Sequence, residues 1–376
     1  MATHFIILDL RRGKRAIVRA LLTPLGQLRW CRLVPLGFRA YPQTRARAAE
    51  ALQTATKQPK SRLIRALKLA LLAAQYNGTR ARFAHLLARD PLAVAVVWNG
   101  LNGSRRVFAE GARDAGARTL FLERAPLPGR VTVDPMGVNF ANSLPRDIGF
   151  YTDWLASSGV PPDQWRALRG QIRQRAPKET VTGVLAPSGL SDRFLFVPLQ
   201  VEGDSQLRLF GGAYRTVPDF IHMLCETSQA LPDGWHLRLK EHPSGQPCAA
   251  AIIAEHPGAR VILDNATDTF AQVAASRGVI TVNSSVGLEA MWYDKPVVAC
   301  GQCFWALDGV ATSAPDAAAL AALLGQPDQQ QYDAGARAAL LSYLEQVYYP
   351  IYPSDGSEVE AANTRKIAAL FEASFG

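Results

Sequence analysis

Two doubly wound α/β domains, facing each other across a cleft, are the fold class this sequence predicts. Three observations carry that reading. Short apolar runs alternate with helical stretches in both halves of the chain, the βαβ signature of parallel sheets. Polar, often glycine-bearing turns follow several of these runs, as ligand-binding strand ends do in such sheets. The length, 376 residues at 48% apolar composition, suits two or three domains with real cores.

In chain order, His4–Leu10 (HFIILDL) reads as a buried strand. Leu28–Leu36 (LRWCRLVPL) reads as a second, weakened by Pro35. Thr44–Arg89 has a helical pattern, with breaks expected at Gln58-Pro59 and at Asn77-Gly78. Its second piece opens at Ser61, a suitable N-cap. There Leu63, Leu67, Ala70, Leu71 and Ala74 share one face, and Arg62, Arg65 and Lys68 lie off it. Two readings follow: a packed helix with a solvated basic face, or an interfacial helix on anionic lipid.

Leu92–Trp98 is the next strand, then a helix through Phe108–Ala115 and the strand Arg118–Glu123. Residues 125–145 read as a long Pro/Gly/Asn-rich loop, 146–174 as helical, and 176–192 as an interdomain linker. The second half gives strands Arg193–Val201, Trp235–Lys240, Arg260–Leu263, Gly278–Val282 and Pro296–Ala299. Helices are expected at 215–230, 246–255, 267–276, 286–293 and 315–324, with an amphipathic helix over 357–376. The expected domains are 1–180, carrying a basic helical insertion at about 44–89, and 190–350. The 357–376 helix packs back on the first domain in this reading.

Charge is unevenly distributed. The chain carries +9 overall, but residues 1–90 hold 18 basic residues against only Asp9, Glu50 and Asp90, giving +15, and the remainder carries −6. Such asymmetry points to a polyanion or an anionic membrane surface. The aromatics of the basic region are scattered rather than interleaved, so no nucleic-acid partner is expected. No apolar run reaches 18 residues, and the amino terminus lacks the features of a secretory signal. Five cysteines do not form a disulfide framework, and a cytoplasmic protein with reduced thiols is expected.

Three turns in the second half carry the chemistry. Glu202-Gly203-Asp204-Ser205-Gln206 follows one strand, after Gln200. Glu241-His242-Pro243-Ser244-Gly245 follows another, after Lys240. Asn283-Ser284-Ser285-Val286-Gly287-Leu288-Glu289 follows a third. Asn283, Ser284 and Ser285 precede a helix whose first amides suit a phosphate, or they simply cap that helix. Gly287 would let the backbone approach a ligand closely. Glu289 would reach a ribose or complete a capping box. Lys240 and His242 would neutralise a phosphate leaving group. Asp204 is a nucleophile or base, or alternatively an Asx-turn or cap residue. In the first domain Glu123 ends a strand as an acceptor-side carboxylate or an ion-pair partner, and Asn99 and Asn139 are further polar candidates. Cys300-Gly-Gln-Cys303 has no second ligand pair, so no metal site is expected.

These residues resemble the capsule polysaccharide biosynthesis family, and within it the single-module capsular β-Kdo transferases. The likeness rests on VPLQVEGDSQLR (Val197–Arg208), LKEHPSG (Leu239–Gly245) and ITVNSSVGLEAMWYDKPVV (Ile280–Val298). It continues more weakly through VVWNGLNGSRR, LFLERAPLPG and DPMGVNFANSL. The resemblance implies a GT-B-like fold and a CMP-sugar donor, CMP-Kdo, with no cofactor or metal. It implies a phosphatidylglycerol-type lipid acceptor and net retention. It also implies work at the inner face of the cytoplasmic membrane, alongside other capsule-assembly proteins. His242 and Lys240 would contact the donor phosphate, Ser284, Ser285 and Glu289 would bind CMP, Asp204 would be the nucleophile, and Glu123 would lie near the acceptor. A lipid acceptor in an anionic leaflet suits the basic amino-terminal region, at about 1 kcal/mol per basic residue near the surface. The alternatives are a non-catalytic assembly or export component and a GT-B transferase or epimerase that uses a UDP-sugar.

Overall fold

The computed structural model describes residues 3–8, 12–55, 59, 61–172, 193–352 and 366–367. The chain divides into two compact units, 1–144 with 346–376, and 145–345.

The first unit holds a five-stranded sheet of order β2-β1-β3-β4-β5. Its strands are β1 (Thr3–Leu8), β2 (Gly26–Cys31), β3 (Val94–Trp98), β4 (Arg118–Arg124) and β5 (Val131–Asp134). The first four are parallel and β5 is antiparallel to β4. Between β1 and β2 runs α1 (Arg12–Leu22), which the sequence reading missed. A parallel pair requires such a crossover, and Ile17, Val18, Leu21 and Leu22 bury its apolar face in the sheet core. β5 lies inside the segment expected to be a loop.

The basic region folds as α2 (Thr44–Gln53) and α3 (Arg62–Leu87), followed by α4 (Gly103–Asp114). The expected break at Asn77-Gly78 does not occur. The buried Asn77 side chain accepts a hydrogen bond from the Thr44 hydroxyl at 2.6 Å. Any Cβ at Gly78 would overlap the backbone of Pro35 and Leu36. Both residues are therefore packing choices within a continuous helix, not helix breakers.

The second unit holds a six-stranded, all-parallel sheet of order β11-β10-β9-β6-β7-β8. In chain order, α5 (Ile148–Ser158) is followed by β6 (Arg193–Pro198), α6 (Ser205–Phe210) and α7 (Val217–Thr227). Next come β7 (Trp235–Lys240), α8 (Ala249–Ala254), β8 (Val261–Leu263) and α9 (Thr269–Ala275). The unit closes with β9 (Gly278–Thr281), α10 (Ser285–Met291), β10 (Val297–Ala299), β11 (Thr312–Ser313), α11 (Ala317–Leu324) and α12 (Ala334–Tyr343). Its core joins inward residues of β6, β7 and β9 to α7 and α11.

The boundary between units falls at 144/145, not in 176–192, which lies outside the described residues. The reason is packing. Tyr151 of α5 meets Tyr343 of α12 edge-on at 5.2 Å. The Trp292 indole donates to the Trp165 carbonyl at 3.0 Å. After α12 the chain returns to the first unit. The Tyr348 hydroxyl donates to the buried Asp134 carboxylate at 2.8 Å, and Ile367 enters that unit's core. Of the expected 357–376 helix, only residues 366–367 are described.

Candidate functional site

In the second unit the chain builds β6, β7 and β8 to one side, then crosses to place β9, β10 and β11 on the other. The order reverses between β6 and β9. Ligands of open α/β sheets bind beyond the strand carboxyl ends at such a switch point. The three polar turns of the sequence lie at the ends of β9, β6 and β7, which are neighbours in the sheet.

Side chains join these turns. Gln200 donates through Nε2 to Asn283 Oδ1 at 2.9 Å and accepts the Asn283 amide at 3.3 Å. Asn283 Nδ2 donates to the Gln206 carbonyl at 3.0 Å. Asn283 is buried, so it works as a strut between the β6 and β9 turns and not as a surface ligand. The Leu199 amide donates to the Lys240 carbonyl at 2.9 Å, fixing the β6 turn beside the β7 turn.

Asp204 caps α6, accepting the Gln206 amide at 2.9 Å, and remains partly exposed. The cap orients one carboxylate oxygen and fixes the side chain at the switch point. Ser284 caps α10 in the same way, accepting the Val286 amide at 3.2 Å. Its own amide donates to Thr281 Oγ1 at 3.1 Å, a contact the sequence reading missed. Ser285 opens α10 and is partly exposed. His242 is exposed, and its Nδ1 accepts the Ser244 amide at 3.0 Å, so the neutral ring carries its proton on Nε2.

Beyond Asn283, three expectations are corrected by the packing. Lys240 does not face a ligand. It is buried, and its ammonium donates to the Asn265 carbonyl at 2.8 Å and the Thr267 carbonyl at 2.5 Å. Burial lowers its pKa, opposed by the nearby charges of Asp264 and Asp268. Gly287 makes room for protein, not ligand, because a Cβ there would overlap Trp305 and Thr281. Glu289 is buried within α10 rather than displayed at the turn.

In the first unit, Glu123 and Asn99 meet at neighbouring strand ends. Glu123 accepts the Trp98 indole N–H at 2.9 Å and the Asn99 amide at 3.0 Å. Asn99 (φ 66°) and Gly100 (φ 77°) are both left-handed, which turns the chain sharply off β3 and aims the amide at the carboxylate. Trp98, not expected from sequence, also carries the Lys14 ammonium over its ring at 4.5 Å. Asn139 belongs elsewhere, in a loop cinched by Asp134, which accepts from Met136, Gly137 and Ser143.

Cys300 and Cys303 are buried free thiols. Burial pushes Cys300 up to about 12 and raises Cys303 well above the ordinary thiol range, so both stay protonated. Among the described residues, no three His, Cys, Asp or Glu side chains cluster as metal ligands. No helix among them is long and apolar enough to cross a membrane.

Two Rossmann-like units, one with a polar switch point, define a GT-B-like α/β protein. The family model for capsule polysaccharide biosynthesis proteins matches residues 164–352, half of the chain, and this protein belongs to that family. FixF of Sinorhizobium fredii is 30% identical over 210 residues, covering 55% of this chain and 48% of FixF. The capsule polysaccharide export protein KpsS of Escherichia coli is 24% identical, over 53% of this chain and 64% of KpsS. The chain thus spans less than two thirds of either relative. KpsC of Thermosulfurimonas dismutans, a β-Kdo 2,7 transferase, shares the fold with a TM-score of 0.55 at 14% identity, over 99% of this chain and 98% of that one.

Proposed function

We propose that the protein is a glycosyltransferase of capsular polysaccharide biosynthesis. It transfers Kdo, or a related acidic sugar, from a CMP-sugar to a phosphatidylglycerol-type lipid at the cytoplasmic face of the membrane. The observation that carries this reading is the tied set of turns at the β6/β9 switch point, which lies within the family-matched segment.

In this reading the exposed His242 and the Ser284-Ser285 turn receive the donor phosphate, with no metal. Asp204, oriented by its cap bond, attacks the anomeric carbon. The bond to CMP breaks and its electron pair leaves on the phosphate oxygen. An acceptor hydroxyl then attacks the same carbon, loses its proton and releases the carboxylate. Two displacements give net retention. Glu123, held by Trp98 and Asn99, serves as the acceptor-side carboxylate.

The test is product mass spectrometry with CMP-Kdo and a soluble phosphatidylglycerol analogue, beside thermal shifts with CMP and UDP. A glycosylated lipid and stabilisation by CMP alone are expected. Stabilisation by UDP alone would assign the site to a UDP-sugar enzyme. Stabilisation by neither nucleotide, with no product, would leave an assembly component.

A further inference from the structure

A helix packed on a soluble protein ordinarily has one apolar face, and α3 has two. At about 100° per residue, Leu69, Leu72 and Tyr76 point one way, where they pack with Ala48, Ala51, Leu52 and Val107. Leu63, Ile64, Leu67 and Leu71 fall on a different arc, and no described residue of the first unit buries them. Leu63 is 70% exposed, Leu67 62% and Leu71 49%.

The uncovered stripe does not end at Leu71. The next turn of the same face is crossed by the 33–38 segment. The Gly37 amide donates to the Ala74 carbonyl at 2.9 Å, and Pro35 and Leu36 lie against Gly78. That segment displays Leu33, Leu36 and Phe38, the last 92% exposed. The apolar surface therefore runs from the start of α3 across a loop, and the absence of a Cβ at Gly78 lets the loop lie there.

Charge identifies the occupant. Lys68 borders the stripe, Arg62 and Arg65 lie further round the same exposed turns of α3, and Arg32 and Arg39 flank the loop residues, all of them exposed. Between residues 10 and 89 Glu50 is the only acid, and Arg106 and Arg47 already hold it. A second copy of this chain would bring basic against basic. Nucleic acid would match the charge but leave the leucines in water. A bilayer with anionic headgroups matches both, taking the leucines and Phe38 below the headgroups while the basic side chains reach up to them.

We infer that the α3 stripe and the 33–38 loop are a docking surface for an anionic lipid bilayer. The test is co-sedimentation of the full chain with vesicles of phosphatidylglycerol and phosphatidylcholine, and with phosphatidylcholine alone. It is run without donor or acceptor, so its outcome does not depend on glycosyl transfer. Binding to the anionic vesicles, weakened by salt, is expected. The triple variant Leu63→Ser, Leu67→Ser, Leu71→Ser should lower vesicle partitioning at least tenfold, with little change in the melting curve because none of the three belongs to the buried core. Arg62→Glu, Arg65→Glu, Lys68→Glu should do the same. Unchanged partitioning of the leucine variant, or equal binding to neutral vesicles, would overturn the inference. So would a wild-type dimer that the leucine variant dissolves.

Discussion

In both units the chain lays down a first strand, builds to one side of it, and returns to build on the other. Each sheet therefore has a switch point beside its first strand, β1/β3 in one unit and β6/β9 in the other. The strand ends there are furnished differently. In the second unit amide side chains tie separate turns together, leaving Asp204, Ser285 and His242 partly or fully exposed around the tie. In the first, the furnishing lies one strand over, at β3/β4, where the Glu123 carboxylate of β4 is gripped by an indole and an amide from the end of β3. The same winding thus supplies a multi-turn cradle in one case and a single fixed acid in the other. The fold gives the place, and the turn residues decide the chemistry.

The comparison is broken most sharply at Asp204. Asp204→Asn keeps the shape of the cap and removes the carboxylate proposed as nucleophile. Turnover should fall about a thousandfold or more, on the order of 4 kcal/mol in barrier, with CMP affinity retained. Wild-type protein given donor without acceptor should show a glycosyl adduct on Asp204 by intact-protein mass spectrometry. Substantial activity in the variant would remove Asp204 from the mechanism.

The two units are distinguished by Glu123→Gln. Acceptor kcat/KM should drop on the order of a hundredfold, while CMP binding by calorimetry stays unchanged. A parallel loss of CMP affinity would contradict the division of labour.

Within the second unit, Lys240 and His242 are two residues apart and should part company. Lys240→Met removes a donor from two half-buried carbonyls, Asn265 and Thr267, of which the second keeps Gln272, and should cost about 1–3 kcal/mol of stability without a direct effect on CMP. His242→Ala should leave the melting temperature alone and weaken CMP about tenfold, or ~1.4 kcal/mol. The reverse pattern would restore Lys240 as the phosphate ligand. The smallest effect belongs to Ser284→Ala, which removes a cap worth about 1 kcal/mol of stability.

Much of this was legible in the sequence, and the misses have physical causes. Period and length revealed nine of the strands and the three polar turns, because buried parallel strands are continuous apolar runs. Two-residue β11 is too short to carry a period, and β5 is hidden between Pro128-Gly129 and Pro135, residues that read as turns. Periodicity in α3 found the Leu63–Leu67–Leu71 face, but it cannot tell whether anything covers that face. Asn77-Gly78 reads as a break by propensity, yet a tertiary bond and a close backbone contact reverse the preference. Lys240 shows the same limit at the site. A cation after a strand can turn outward to a ligand or inward to a carbonyl, and the 264–268 loop that draws it inward is distant in sequence.

The return of the chain to the first unit after α12 bears on how the protein is made. Residues 145–345 are one uninterrupted stretch, so the second unit has all its parts once α12 has left the ribosome. The first unit is begun earlier and completed later. Its sheet leaves the tunnel without the Tyr348 hydroxyl that meets buried Asp134, and without Ile367 in its core. At about 5–20 residues per second, the wait lasts on the order of ten to forty-five seconds. During that time Asp134 keeps its bonds to the following loop and lacks its last partner. The half of the protein translated first is thus the half that finishes last.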